Sequence, residues 1–145
     1  MTVMTSAGST FALSASIPAT YDASGYNALT YTAVGEVTDV GEVGREYNLV
    51  NFNPLGTRIT KKFKGSYQAG SITLQFGRDF TDSGQILLGA AAFSDNTYSF
   101  KITLQNGKKL YFTGMVMSLK TNVGSVDQIT SASAQIELHT DVVEV

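Results

Sequence analysis

The chain has 145 residues, no cysteine and no tryptophan, ten Lys or Arg against twelve Asp or Glu, and a formal charge of −2. One domain is the default at this length, the lack of cysteine excludes disulfides and thiolate-bound metals, and the acidic balance argues against a general nucleic-acid binder. Charged residues make up only 15% of the chain, below the roughly 25% of average soluble domains, so a large uncharged surface is expected to meet other protein.

Residues 1–35 hold one charge, Asp22, among small residues, Ser and Thr. Phe11, Leu13, Ile17, Tyr21 and Tyr26 recur too often for a solvated tail. Residues 1–25 are therefore expected to form an arm that packs on its own or a neighbouring subunit. Leu29, Tyr31 and Ala33 then alternate with Thr30, Thr32 and Val34, which predicts a strand within 26–38. Residues 40–56 read as a long loop punctuated by Gly41, Gly44, Pro54 and Gly56. A loop of that length tends to be functional or disordered, and Tyr47, Leu49, Val50 and Phe52 favour an ordered loop that contacts a partner.

Residues 57–64 alternate, with Ile59, Lys61 and Phe63 on one side and Arg58, Thr60, Lys62 and Lys64 on the other. That basic stripe is either a solvated face or a surface for acidic groups of a neighbour. Gly65 to Gly70 reads as a break, and Ile72, Leu74 and Phe76 mark a half-buried strand. The one evident helix spans 81–94. Asp82 stands three residues before Gln85, which makes it the expected helix cap. The apolar run after it predicts a largely buried helix.

Residues 97–120 carry Asn106-Gly107 between two β-rich runs, a strong hairpin signal. A two-residue turn pairs Ile102 with Tyr111 and Tyr98 with Met115. It leaves the first strand one-sided, with Ser99 and Lys101 on the polar side, and the second strand apolar on both faces. Gly114 is a candidate bulge. Ile129 to Thr140 reads as a last strand and 141–145 as a tail. Six strands and one helix without βαβ alternation predict antiparallel sheets flanked by a helix.

Catalytic chemistry is poorly represented. His139 is the single histidine, and no Gly-x-Ser-x-Gly elbow, His pair or complete phosphate loop occurs. Asp79 and Asp82 could form a carboxylate pair, but Asp82 serves as a cap and Asp79 can pair with Arg78 or be solvated. The expectation is no enzyme, no catalytic or metal site and no cofactor. Residues 1–19 lack Lys and Arg and are rich in Ser and Thr, so they read neither as a secretory signal nor as a bilayer span. Residues 86–93 are too few to cross a membrane. No membrane role is expected, and the expected compartment is the cytoplasm or an assembly built there.

Several runs together carry a family resemblance: residues 17–26 (Ile-Pro-Ala-Thr-Tyr-Asp-Ala-Ser-Gly-Tyr), 29–39 (Leu-Thr-Tyr-Thr-Ala-Val-Gly-Glu-Val-Thr-Asp), 44–47 (Gly-Arg-Glu-Tyr) and 60–66 (Thr-Lys-Lys-Phe-Lys-Gly-Ser). The chain resembles the major tail tube proteins of long, non-contractile-tailed (siphovirus-type) bacteriophages over nearly its whole length. The resemblance implies a single domain, 1–145, with an antiparallel β-sandwich or small barrel and one flanking α-helix, similar also to type VI secretion tubes. It implies hexameric rings that stack around a tape-measure protein, with tail terminator and distal tail proteins as further partners. Double-stranded DNA would transit the lumen without specific binding, in a virion tail assembled in the host cytoplasm. Residues 1–25 and 40–56 would contact adjacent rings or subunits. The candidate contacts are Phe11, Ile17, Tyr21, Glu42, Arg45, Tyr47, Phe52, Arg58, Lys62 and Lys64. Arg58, Lys62 and Lys64 are expected at a subunit interface, because many basic groups in the lumen would hold phosphates. The polar side of the first hairpin strand, with Ser99 and Lys101, would face solvent or the lumen, where Lys101 fits poorly. The alternatives are a related ring-forming subunit (secretion tube or tail terminator) and a stand-alone β-sandwich binding module, which would usually display a Trp platform.

Overall fold

The computed structural model describes residues 3–145; residues 1 and 2, at the start of the expected arm, lie outside them. The described elements, in chain order, are β1 (Thr10–Ser14), α1 (Ala23–Asn27), β2 (Thr32–Val34), β3 (Val37–Asp39), β4 (Glu46–Phe52), β5 (Lys61–Gln68), β6 (Ser71–Gly77), α2 (Ser83–Phe93), β7 (Tyr98–Thr103), β8 (Lys109–Asn122), β9 (Ser131–Leu138) and β10 (Val143–Glu144). The main sheet is antiparallel in the order β2-β1-β7-β8-β9-β6-β3, with β10 paired to β8. Only Gly35 and Glu36 separate β2 from β3 in the chain, yet these strands stand at opposite ends of that order. The sheet therefore curls until its edges meet, as in a small barrel.

The inner face is apolar by alternation. Phe11 and Leu13 of β1, Ile72, Leu74 and Phe76 of β6, Phe100 and Ile102 of β7, Phe112 of β8 and Ala134 and Ile136 of β9 are all buried. Phe100 lies between Phe11 and Phe112, with ring centroids 5.7 and 5.3 Å away. Each such large side chain contributes about 1.5–3 kcal/mol on burial.

Helix α2 closes the seam. The Asp82 carboxylate accepts from the backbone N–H of Gln85 at 3.0 Å, which caps the helix, and from that of Gly35 at 3.0 Å. The buried Gln85 side chain donates to the carbonyls of Gly35 (3.1 Å) and Gly77 (2.8 Å) and accepts from Asp79 N–H (2.9 Å). One side chain thus ties the β2–β3 link to the end of β6. The helix is less buried than its composition predicts. Leu88 and Ala91 face the core, whereas Ile86 is exposed and Phe93 is 96% exposed. Only one stripe of an isolated surface helix can meet the sheet.

The β7–β8 hairpin exists as expected, but its register differs by one residue. Tyr98 pairs with Gly114, Phe100 with Phe112 and Ile102 with Leu110. Leu104 N–H donates to Lys108 O (2.8 Å), while Leu104 O accepts from Gly107 N–H (3.0 Å). The loop is therefore three residues, Gln105-Asn106-Gly107, with Gly107 at φ 88, the geometry of a type I turn followed by a G1 bulge. A one-residue shift exchanges the faces, so Phe112 and Val116 point inward and Tyr111 points outward. The irregularity in β8 falls between Val116 and Ser118 rather than at Gly114.

The outer face of this hairpin is covered by the same subunit. Tyr111 stacks on Tyr26 at 5.3 Å and 12°, and its hydroxyl donates to Asn27 Oδ1 at 2.7 Å. The buried Ser99 hydroxyl donates to Ser16 O at 2.6 Å. Lys101 Nζ sits 5.1 Å from the Tyr31 ring centroid. The expected solvated or lumen-facing side of β7 is thus an interior layer. Of residues 1–25, expected as an arm that packs on its own or a neighbouring subunit, 10–14 form a core strand, and residues from 16 to 31 pack over β7 and β8 of the same subunit. Within 26–38, α1 and two short strands replace the single strand expected. Residues 46–52 are a strand rather than loop, β5 runs through Gly65, and the last residues form β10 instead of a tail.

Candidate assembly interface

Strands β4 and β5 form a separate two-stranded sheet. Val50 pairs with Phe63 and Phe52 with Lys61; Leu49 pairs with Lys64 and Asn51 with Lys62. Every residue of β4 is exposed. Phe52 and Phe63 stand 55% and 54% exposed, and Leu55 and Ile59 in the connecting loop are open to solvent. An isolated two-stranded hairpin is marginally stable in water, and its apolar residues gain nothing from burial while the subunit stands alone. The feature calls for a protein partner.

The hairpin is anchored at its base by Arg45. Its guanidinium forms an ion pair with Asp141, donates to the Tyr47 hydroxyl at 2.8 Å and lies 4.5 Å from the Tyr67 ring centroid. The hydrogen bond to Tyr47, followed by that to Asp141, raises the Arg45 pKa further. Lys64 Nζ stands 4.8 Å from the Tyr47 ring centroid, and Tyr47 and Tyr67 pack at 5.1 Å. Beside this base is an open cleft of about 600 Å³ lined by Glu42, Arg45, Glu46, Gln68 and Glu137, among others.

Of the sequence-predicted contacts, Arg45, Tyr47, Phe52, Arg58, Lys62 and Lys64 come together on or at this hairpin, with Glu42 in the cleft at its base. Ile17 and Tyr21 are exposed elsewhere, on the layer that covers β7 and β8. Phe11 is fully buried in its own core and leaves the set. Sequence reasoning reads Leu49 and Val50 as part of a partner-contacting loop but does not join Phe63 and Tyr67 to them, because no local signal shows that β4 pairs with β5 outside the main sheet. It also missed Ile86 and Phe93 on α2 and Val123, Val126 and Ile129 after β8, all exposed.

Among the described residues no group of three or more His, Cys, Asp or Glu is placed to hold a metal, and no helix is long and apolar enough to cross a membrane. Among the described residues Asp79 forms no ion pair with Arg78. It accepts from the Thr81 hydroxyl (2.7 Å) and N–H (3.0 Å), which lowers its pKa.

A family model for phage tail tube protein (TTP) matches residues 2–145. Among curated proteins no match is found. The fold is similar to that in the anti-feeding prophage (AFP) baseplate, 6-fold symmetrised, at TM-score 0.75 and 10% identity over 100% of this chain and 97% of that one. It is similar to a PVC sheath/tube terminator at TM-score 0.72 and 11% identity over 100% and 98%. It is similar to the SPP1 tail tube at TM-score 0.63 and 12% identity over 94% and 75%. At such identities the likeness carries the fold, and the family match carries the membership.

Proposed function

The chain belongs to the phage tail tube protein family, and from that premise we propose that it forms stacked homohexameric rings whose lumen conducts the genome during ejection. The observation that carries this reading is the β4–β5 hairpin, a strand pair with exposed aromatic, aliphatic and basic side chains and no cover of its own. Residues 40–56, expected as an inter-ring loop, supply one strand of it. A hairpin that projects from a barrel reaches a second copy, and repetition of that contact generates rings or an open stack. The six-fold symmetry of the related baseplate supports the ring number. Tail tape-measure, terminator and distal proteins are the partners this role requires, in a virion tail assembled in the host cytoplasm. DNA passes without specific binding, which the net charge of −2 and the low share of charged residues, 15%, support, since phosphates are held by many basic groups together.

The likeness to a sheath/tube terminator favours a second reading, a ring that caps a tube without stacking indefinitely. Electron microscopy of the purified chain separates them. Tubes of uniform width are expected; single rings would support the capping reading, and a strict monomer at high concentration would remove both.

A further inference from the structure

The cleft at the base of the β4–β5 hairpin is a patch of negative charge. Glu42, Glu46 and Glu137 line it. Its one cation, Arg45, is already paired with Asp141, and among the described residues no other ion pair forms. The three carboxylates therefore stand without a cation; Glu137 Oε1 accepts from the Gln135 side-chain amide at 3.4 Å. Small ligands favour cavities lined mainly by apolar and aromatic side chains, whereas Val43 and Ala69 are the only apolar side chains here. A single metal ion fits no better, because the three carboxylates form no group placed to hold one. Carboxylates spread in this way suit several cations carried on one surface.

The distal end of the same hairpin is such a surface. Arg58 in the connecting loop and Lys61 and Lys62 at the start of β5 are all exposed. Lys61 pairs with Phe52 and Lys62 with Asn51, at the end of β4 remote from Glu46. No Asp or Glu occurs between Glu46 and Asp79, so no carboxylate on the hairpin beyond its base offsets these cations. β4 runs 7 residues, which separates the two ends by about 20 Å. A hairpin cannot double back on its own base, so its distal cations reach such a cleft only on another copy. The adjacent pair Lys108-Lys109 is a weaker match, since Glu144 stands on the strand beside it.

We infer that the distal end of the hairpin of one copy, with Arg58, Lys61 and Lys62, seats over Glu42, Glu46 and Glu137 in the cleft of the next copy. The two surfaces share no residue and lie at opposite ends of one element. The contact is therefore heterologous and propagates from copy to copy instead of closing a two-fold dimer. Several charge pairs formed together fix the register and speed the encounter. The inference rests on the assembly reading above and names the surface that receives the hairpin.

Two charge-reversed variants test it. Glu42→Lys/Glu46→Lys makes the cleft positive, and Arg58→Glu/Lys61→Glu makes the distal end negative. All four side chains are exposed, so both variants are expected to keep the circular dichroism of the parent. Each alone is expected to raise the concentration needed for assembly about tenfold or more. Mixed in equal amounts they are expected to assemble near the parent's concentration, because in an alternating series every cleft again meets a distal end of opposite charge. If a variant loses the parent's circular dichroism, its neutral counterpart, Glu42→Gln/Glu46→Gln or Arg58→Gln/Lys61→Gln, takes its place, and an unchanged assembly concentration then overturns the contact. Either reversed variant assembling as the parent does, or a mixture that stays as poor as its components, overturns this contact and leaves the tube reading intact. A parent chain that never assembles removes the tube reading, and this contact with it.

Discussion

Gly114 lies where β8 pairs with the end of β9, opposite Leu138. A Cβ there would stand 2.5 Å from the Glu137 carbonyl oxygen and 3.2 Å from Ile136 Cγ2. Backbone cannot yield as a side chain can, so Gly114→Ala is expected to cost about 1–3 kcal/mol, read as a lower urea midpoint. An unchanged midpoint would mean that the two strands separate freely. A second residue-scale effect is pH dependence. Burial raises the pKa of Tyr26, Tyr31 and Tyr111, because it disfavours the phenolate. Below the ordinary phenol value of 10 both folded and unfolded chains hold these protons, and stability is at its full level. As pH rises through that value the unfolded chain releases protons first, so stability falls. Tyr26→Phe keeps the ring that stacks on Tyr111 and removes one titrating group. Its urea midpoint should fall less steeply above pH 10 than the parent's; parallel curves would exclude Tyr26 from the effect.

At the scale of elements, what was legible depended on whether the signal was local. The Asp82 cap, the β6 alternation and the Asn106-Gly107 turn are written in a few neighbouring residues, and each forms. The register of the turn was not, because Asn-Gly serves both a two-residue loop and the left-handed end of a three-residue loop. The difference lies in whether Leu104 or Gln105 closes the ladder, which no residue announces. The same shift decided whether Tyr111 or Phe112 entered the core. The outer layer over Tyr111 was equally hidden: residues 16–31 read as a packing arm and the start of a strand, and what they pack on depends on Tyr26 and Tyr31 meeting strands some seventy to eighty-five residues later. For the interface, basic and apolar residues of 45–64 are expected contacts, but their joint presentation required knowing that β4 and β5 pair outside the main sheet. That separation has a consequence for stability. The hairpin meets the barrel chiefly at its base, through Arg45 and Asp141, and contributes none of the buried core. Replacement of residues 46–68 by a short Gly-Ser linker should therefore leave the thermal midpoint within a few degrees of the parent's while it abolishes tubes in the microscope. Loss of the folded barrel instead would show that the hairpin belongs to the folding unit.

The whole molecule is electrically lopsided. Residues 46–68 hold four of the ten basic residues and one of the twelve acidic ones, so a basic projection stands on an acidic body. Within one chain this polarity does little, since exposed pairs contribute only ~0–1 kcal/mol each. Across copies it acts on every contact at once. In the assembly proposed above the hairpin lies on a second subunit, where its apolar residues would exclude water and Arg58, Lys62 and Lys64 would meet carboxylates at reduced dielectric, with attraction stronger and less screened. Wrong placements, hairpin against hairpin, set like charges together and are disfavoured, so charge selects the arrangement that the apolar side chains then hold. Two results should follow. Tube growth, followed by light scattering, should slow as salt rises and the Debye length drops from about 10 Å at 0.1 M to about 3 Å at 1 M. The double variant Lys62→Glu/Lys64→Glu should stay folded, because both side chains are exposed, and yet fail to assemble at concentrations where the parent does. Assembly of that variant at the parent's rate and salt dependence would mean that these lysines are merely solvated and that the apolar contacts suffice on their own.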